Sequence, residues 1–200
     1  MSWLQTFTGK RIDLFAPKAE QIEIEDIAHA LAHECRYAGH VKEFYSVAQH
    51  SVIVSRLCPP QDALWGLLHD GAEAYLGDVV KPLKVTGAFV EYRKLEVRMQ
   101  AAICSRFGLP PEEPDCVKRI DKAMVAIEAR DLLAPLLPDW EDRTCLLDIE
   151  IRAQDPRTAQ ASFLDRFYEL REASHQRQER RLVRRVGSCF KRGNLGGGDL

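Results

Sequence analysis

No window of this chain approaches the ~18 consecutive apolar residues of a membrane-spanning helix. The opening stretch MSWLQTFTGKRIDLF holds no apolar run of signal-peptide length. Both absences lead to the expectation of a soluble, cytoplasmic protein with no membrane partner. The six cysteines (Cys35, Cys58, Cys104, Cys116, Cys145 and Cys189) form no C-x-x-C pair and no zinc-finger spacing. That argues against a disulfide framework and suits a reducing compartment. A large excess of charge is also lacking. The net charge of −2 excludes a chain that binds polyanions with its whole surface, so no nucleic-acid polymer is expected as a partner. Internal repeats and convincingly alternating strands are absent too. What is there is ordinary globular material, 46% hydrophobic and 29% charged over 200 residues, enough for one domain and a tail.

The apolar periodicity is helical almost throughout. Ile24, Ile27, Ala28 and Leu31 predict a helix over 22–34, with Glu23, Glu25 and Asp26 at its favourable N-terminal end. Residues 35–45, CRYAGHVKEFY, break the pattern and read as a loop. Ser46 followed by Gln49 fits a capping box, opening a helix that runs to about Leu57 before Pro59 and Pro60. A helix over 61–76 follows, with Gly77 as its stop. Phe89, Tyr92, Leu95, Met99, Ala102, Ile103 and Phe107 predict a long amphipathic helix over 88–107. Helices over 115–134 and 157–174 complete an all-α expectation, with 139–155 acidic and irregular and 3–15 left irregular. The tail, 176–200, has seven Lys/Arg against two acids and ends in three glycines and Asp-Leu. It reads as a frayed helix followed by disorder, a solvated, basic, flexible tail outside a domain of residues 1–175.

Chemistry concentrates in LWGLLHDGAEAYLGDVVKPLK, residues 64–84. The apolar side of a helix gives way to His69, Asp70, Glu73 and Asp78, with Lys81 and Lys84 close behind. Helical spacing stacks His69 and Glu73, and small Gly71 and Ala72 admit a close neighbour. A lone His-Asp pair is ordinarily a satisfied surface pair. Two further residues argue for more. His50 begins the preceding helix, and Asp121 stands beside Ile120 and Met124 on a face that otherwise reads as core, where a carboxylate needs a cation or several donors. His50, His69, Asp70 and Asp121 form a two-imidazole, two-carboxylate set. Such ligands suit one divalent ion among Mn, Co, Fe, Ni and Mg, with Zn possible. His40 competes with His50 as first ligand but lacks its helical frame. His29 and His33 have the spacing of a metal pair without matching carboxylates. Glu128, two turns beyond Asp121, is expected at the pocket rim.

The order His50 … His69-Asp70 … Asp121 resembles the HD-domain metal phosphohydrolases. QHS at 49–51, LLHDGAEAYLGDVVKPLK at 67–84 and KRIDKAM at 118–124 look like the branch of bacterial 5′-deoxynucleotidases and phage deoxynucleoside triphosphohydrolases. The likeness covers about residues 22–170. It implies an all-α HD-domain fold with the metal among central helices. It also implies that Glu73 positions or deprotonates the attacking water, that Asp78 protonates the leaving 5′ oxygen, and that Arg36 holds phosphate. Tyr37, Lys81 and Lys84 are further candidates for holding the nucleotide, and a homo-oligomer is expected by analogy. The resulting expectation is hydrolysis of a (deoxy)nucleotide to nucleoside plus phosphate or triphosphate. The rivals are a non-catalytic HD-type metal or nucleotide sensor, and a (p)ppGpp or cyclic-nucleotide hydrolase.

Overall fold

A computed structural model describes residues 3–135 and 149–193, with side chains as far as 177. The architecture is mostly helical, as expected. The mixed turn and short-strand character of 3–15, read as irregular, resolves into a hairpin over 3–13. Strands β1 (Trp3–Gln5) and β2 (Arg11–Asp13) pair antiparallel with Leu4 opposite Ile12. Six residues of strand are too few to produce a visible alternation. The turn between them is fixed from outside, because Thr8 donates through its N–H (2.7 Å) and hydroxyl (3.0 Å) to buried Asp26.

Asp26 belongs to α1 (Ile24–His33), which buries Ile24, Ile27, Ala28 and Leu31. Helix α2 (Val47–Leu57) is the central element, with eight of its eleven residues buried. Its N-cap is as expected, Ser46 Oγ accepting from the Gln49 N–H at 3.1 Å. The reciprocal half of the capping box is absent. The Gln49 amide turns away to donate to the Arg152 carbonyl (2.7 Å) and accept from the Gln154 N–H (2.9 Å). Gln49 is thus a tether for the segment that leads to the last helix.

Helix α3 (Ala63–Leu68) lies against α2. A Cβ on Gly66 would stand 2.8 Å from Cys58 Sγ and 3.3 Å from the Ser55 Cα, so the close approach requires glycine. The expected continuous helix to Leu76 is interrupted. From 69 to 72 the chain tightens to three-residue bonds, Gly71 N–H to Leu68 O (3.0 Å) and Glu73 N–H to Asp70 O (3.0 Å), before α4 (Glu73–Leu76). Gly71 permits this, its missing Cβ falling 3.1 Å from Ile103 Cδ1. Gly77, at φ +83°, ends α4.

Helix α5 (Lys81–Lys84) leads through a short 3₁₀ turn to α6 (Val90–Phe107), closed by left-handed Gly108. Only Met99, Ala102, Ile103 and Cys104 of α6 are buried, and its first half is largely exposed. Helix α7 (Asp115–Leu132) packs on α2. The stretch 149–155 is irregular, as expected, and 139–148 lies outside the described residues.

Two compact units make up the chain, residues 1–166 and 167–200. The last helix, α8 (Pro156–Gly193), enters the first unit's core through Ala159 and Phe163. Its backbone stays helical to Gly193, so the expected fraying after 175 does not occur there, and 194–200 lies outside the described residues. Among the described residues no helix is long and apolar enough to cross a membrane.

Candidate metal centre

Three elements of the first unit converge on one point. His50 comes from the first turn of α2, His69 and Asp70 from the tightened turn after α3, and Asp121 from the second turn of α7. The two imidazoles meet Nε2 to Nε2 at 3.3 Å. His50 Nε2 is 3.1 Å from Asp121 Oδ1, and His69 Nε2 is 3.8 Å from the same oxygen. His50, His69 and Asp121 form the tightest group, one ligand atom from each lying within 4.8 Å of the others, and this cluster could hold a metal ion. Asp70 adjoins it through Oδ2, 3.2 Å from His69 Nε2 and 3.8 Å from His50 Nε2, and that oxygen also lies 3.3 Å from Arg36 Nη1.

The fit to a cation can be tested on these distances. Donors about 2.1 Å from a common metal lie roughly 3.0–3.4 Å apart at ordinary coordination angles and farther apart across wider ones. The separations of 3.1–3.8 Å match. The far side of each ring agrees. His50 Nδ1 meets Glu128 Oε1 at 2.6 Å, and His69 Nδ1 meets the Gly66 carbonyl at 2.9 Å. An acceptor at Nδ1 places the proton there and leaves the Nε2 lone pair facing the centre, as in metal-bound histidines.

Without a cation, the surrounding carboxylates strengthen proton binding at both rings. Burial alone would lower both histidines, but Asp70 and Asp121 raise His69 well above the ordinary range, and Glu128 and Asp121 raise His50 despite Arg36. The carboxylates answer in the opposite sense. Burial would raise them, yet the imidazoles pull Asp70 and Asp121 far down, and His50 with Arg36 brings Glu128 to about 2.

Around this core the other expected residues sort unevenly. Arg36 is at the centre, 13% exposed at its side chain and held between Asp70 and Glu128. Tyr37 adopts φ +57° and donates its hydroxyl to Glu128 Oε2 at 2.7 Å. Glu73 is buried. Burial, with Asp70 and Asp78 as like-charged neighbours, pushes its carboxyl up to about 9, opposed by Lys84 at 2.7 Å. One Glu73 oxygen, Oε2, is buried with no partner. Asp78 is raised mainly by burial, and it also feels Arg36, Lys84 and Asp70. Lys84 is no free phosphate donor, being shared between Glu73 and Glu96 (2.9 Å). Lys81 is exposed at the start of α5.

Three expectations change. Asp121 is not sealed in core, since its side chain keeps 40% exposure while its Oδ1 faces His50. Glu128 is not at a rim: it is fully buried beneath His50 and also accepts from Tyr45 OH at 3.0 Å. The stacking of His69 over Glu73 gives way to the tighter turn. His40 is exposed. His29 stacks on Phe7 (3.8 Å) and meets Gln160, while His33 bonds the His29 carbonyl, so neither behaves as a ligand pair.

Residues the sequence reading passed over include Glu34, which accepts the Asp78 N–H, and Glu113, a half-buried carboxyl raised by burial and by Asp121 and Asp70. Glu113 lies in a proline-rich linker and offered no signal. Glu128 did offer one: it occupies the same buried face of α7 as Met124 and Ile127, where the argument made for Asp121 holds more strongly.

No protein-family model matches the chain. Over 132 residues, 66% of this chain and 73% of the relative, it is 42% identical to the uncharacterized protein YfdR of Escherichia coli (strain K12). The chain belongs to the YfdR family. A second relative, the uncharacterized protein RCAP_rcc00048 of Rhodobacter capsulatus, is 40% identical over 138 residues, 64% of this chain and 70% of the relative.

Proposed function

We propose that this protein is a metal-dependent phosphohydrolase that cleaves the 5′ phosphate ester of a (deoxy)nucleotide. One observation carries the reading: two imidazoles face each other Nε2 to Nε2 between two aspartates, each with its Nδ1 already satisfied. Protonated rings alone would not need that arrangement, whereas a divalent cation would be held by His50, His69, Asp70 and Asp121. Bound there, it supplies a Lewis acid for the phosphoryl group.

The chain's own residues supply the rest. Arg36 has its guanidinium buried at the centre with Nη1 toward Asp70, and it can clamp a phosphate oxygen. Glu73 Oε2, buried and unpartnered, is the atom that takes a proton from the attacking water. Lys84 holds the carboxyl in place through Oε1 and favours its ionised form, against burial and the nearby aspartates. Asp78, raised by burial, is the acid that serves the leaving 5′ oxygen.

The test is turnover. The protein is stripped, reloaded with Mn²⁺, Co²⁺, Mg²⁺ or Zn²⁺, and incubated with deoxy- and ribonucleoside mono- and triphosphates, with Asp70→Ala and Glu73→Ala alongside. Release of nucleoside by the parent and by neither variant is the expected result. Metal binding without turnover on any nucleotide overturns the enzyme reading and favours a sensor.

A further inference from the structure

We propose that Glu128 is the positioning residue of this centre, one buried carboxylate that sets both the metal-facing nitrogen of His50 and the phosphate-facing guanidinium of Arg36. The inference rests on the metal-centre reading above and extends it to a residue outside the His…His-Asp…Asp order.

Four groups converge on the two oxygens. Oε1 receives His50 Nδ1 at 2.6 Å and the Tyr45 hydroxyl at 3.0 Å. Oε2 receives the Tyr37 hydroxyl at 2.7 Å and stands 3.3 Å from Arg36 Nε. The Arg36 contact is an ion pair without hydrogen-bond alignment, as Nε has no hydrogen-bonding partner. A carboxylate has about four lone-pair directions; three hydrogen bonds and the Arg36 ion pair engage both oxygens of Glu128. It is also completely buried, and so is His50. No water can replace it in either role.

Two consequences follow from that engagement. With Nδ1 held as a donor, His50 has only one nitrogen to offer the centre, and its ring cannot turn. With Nε placed beside Oε2, Arg36 directs Nη1 at Asp70, the neighbour of the other imidazole. Glu128 therefore fixes a metal donor and a phosphate donor in mutual register from one rigid helix. Tyr37 sits in left-handed backbone, which a non-glycine residue adopts only when held, and its bond to Glu128 is such a hold. Glutamine could not substitute. Its amide nitrogen would be a donor among donors, leaving two of the four groups facing the wrong partner.

The test reads metal binding directly, with Co²⁺ as the probe. Glu128→Gln is expected to remain folded by circular dichroism and to bind Co²⁺ on the order of 10- to 100-fold more weakly, with an altered visible cobalt spectrum. A folded Glu128→Gln with parental affinity and spectrum overturns the proposal. A second measurement needs no variant: ¹⁵N spectra of the zinc-loaded parent should show His50 protonated at Nδ1 and ligated at Nε2, and the reverse overturns it too. A parent that binds neither ion refutes the metal centre itself, an outcome distinct from the other two.

Discussion

The backbone N–H of Asp78 donates to the carboxylate of Glu34, so the residue that caps the end of α1 holds the turn that follows α4. The Glu34 carbonyl also accepts from the Val47 N–H at 3.1 Å, at the start of α2. One residue thus ties the turn that carries Asp78 to the foot of the helix that carries His50.

Glu34→Ala should therefore cost activity out of proportion to its distance from the chemistry. It leaves the Asp78 N–H without its acceptor, a loss of about 1–2 kcal/mol in stability, and it frees the Asp78 side chain to wander. Turnover should fall about tenfold, on the scale of a misplaced general acid. Urea unfolding and steady-state rates together check this; an unchanged rate beside an inactive Asp78→Ala would show that Asp78 is positioned by its own turn.

Glu73→Gln should separate stability from activity. The carboxyl binds its proton more tightly in the fold than in the unfolded chain, about 9 against an ordinary 4.5. Its contribution is present at low pH and is lost as pH rises through that window. Removing the charge should leave the protein as stable or more so at pH 8, by on the order of 1 kcal/mol, since Lys84 keeps Glu96. Nucleotide turnover should nonetheless drop at least about 100-fold. A destabilised variant at pH 8 would mean that the ion pair with Lys84 outweighs the burial of the carboxylate.

The chelated protein should be most stable between about pH 4.5 and 6.5. His50 and His69 have raised affinities in the fold, so their contribution is complete below the ordinary histidine value of 6.5 and fades as pH climbs. Asp70, Asp121 and Glu128 are lowered, so theirs is complete above about 4.5 and is lost on acidification. Saturating Co²⁺ should reverse the alkaline limb, because a bound ion requires neutral imidazoles. Thermal unfolding across pH, with and without metal, decides; a chelated protein that gains stability from pH 6.5 to 8 contradicts the arrangement.

Gly66→Ala tests the approach of α3 to α2, which brings the two histidines together. The added methyl meets Cys58 Sγ at 2.8 Å and backbone at 3.3 Å. About 1–3 kcal/mol should be lost, and Co²⁺ affinity with it. Combining it with Cys58→Ala should recover part of the stability; no recovery would place the strain at the Ser55 backbone instead.

Much of this was legible in the residues. Helices α1, α2, α6 and α7 follow from apolar spacing and end within a few residues of expectation; α1, α2 and α7 bury a stripe along their length, α6 only in its second half. The gathering of His50, His69, Asp70 and Asp121 was readable as chemistry: charged side chains set at the margins of core stripes need partners. The break at 69–72 was not, since an apolar period cannot distinguish a continued helix from one tightened by a glycine that a distant Ile103 presses upon. Gln49 misled for a related reason. Its spacing from Ser46 satisfies a local rule, while its amide serves backbone a hundred residues later. Lys84 looked like a free cation because its two acids, Glu73 and Glu96, come from different helices.

The loop that carries Arg36 and Tyr37 is closed at its base. Cys35 and Ser46 pair as an antiparallel bridge, and Arg36 N–H meets the Tyr45 carbonyl at 2.9 Å. Ala38, Gly39 and His40 stand exposed beyond that clasp. Evolution therefore has a place to experiment. Residues added or exchanged at 38–40 would leave the clasped feet, and the guanidinium beside them, where they are. Variation in the length and character of that tip is compatible with an unchanged centre, whereas variation in the helices is not.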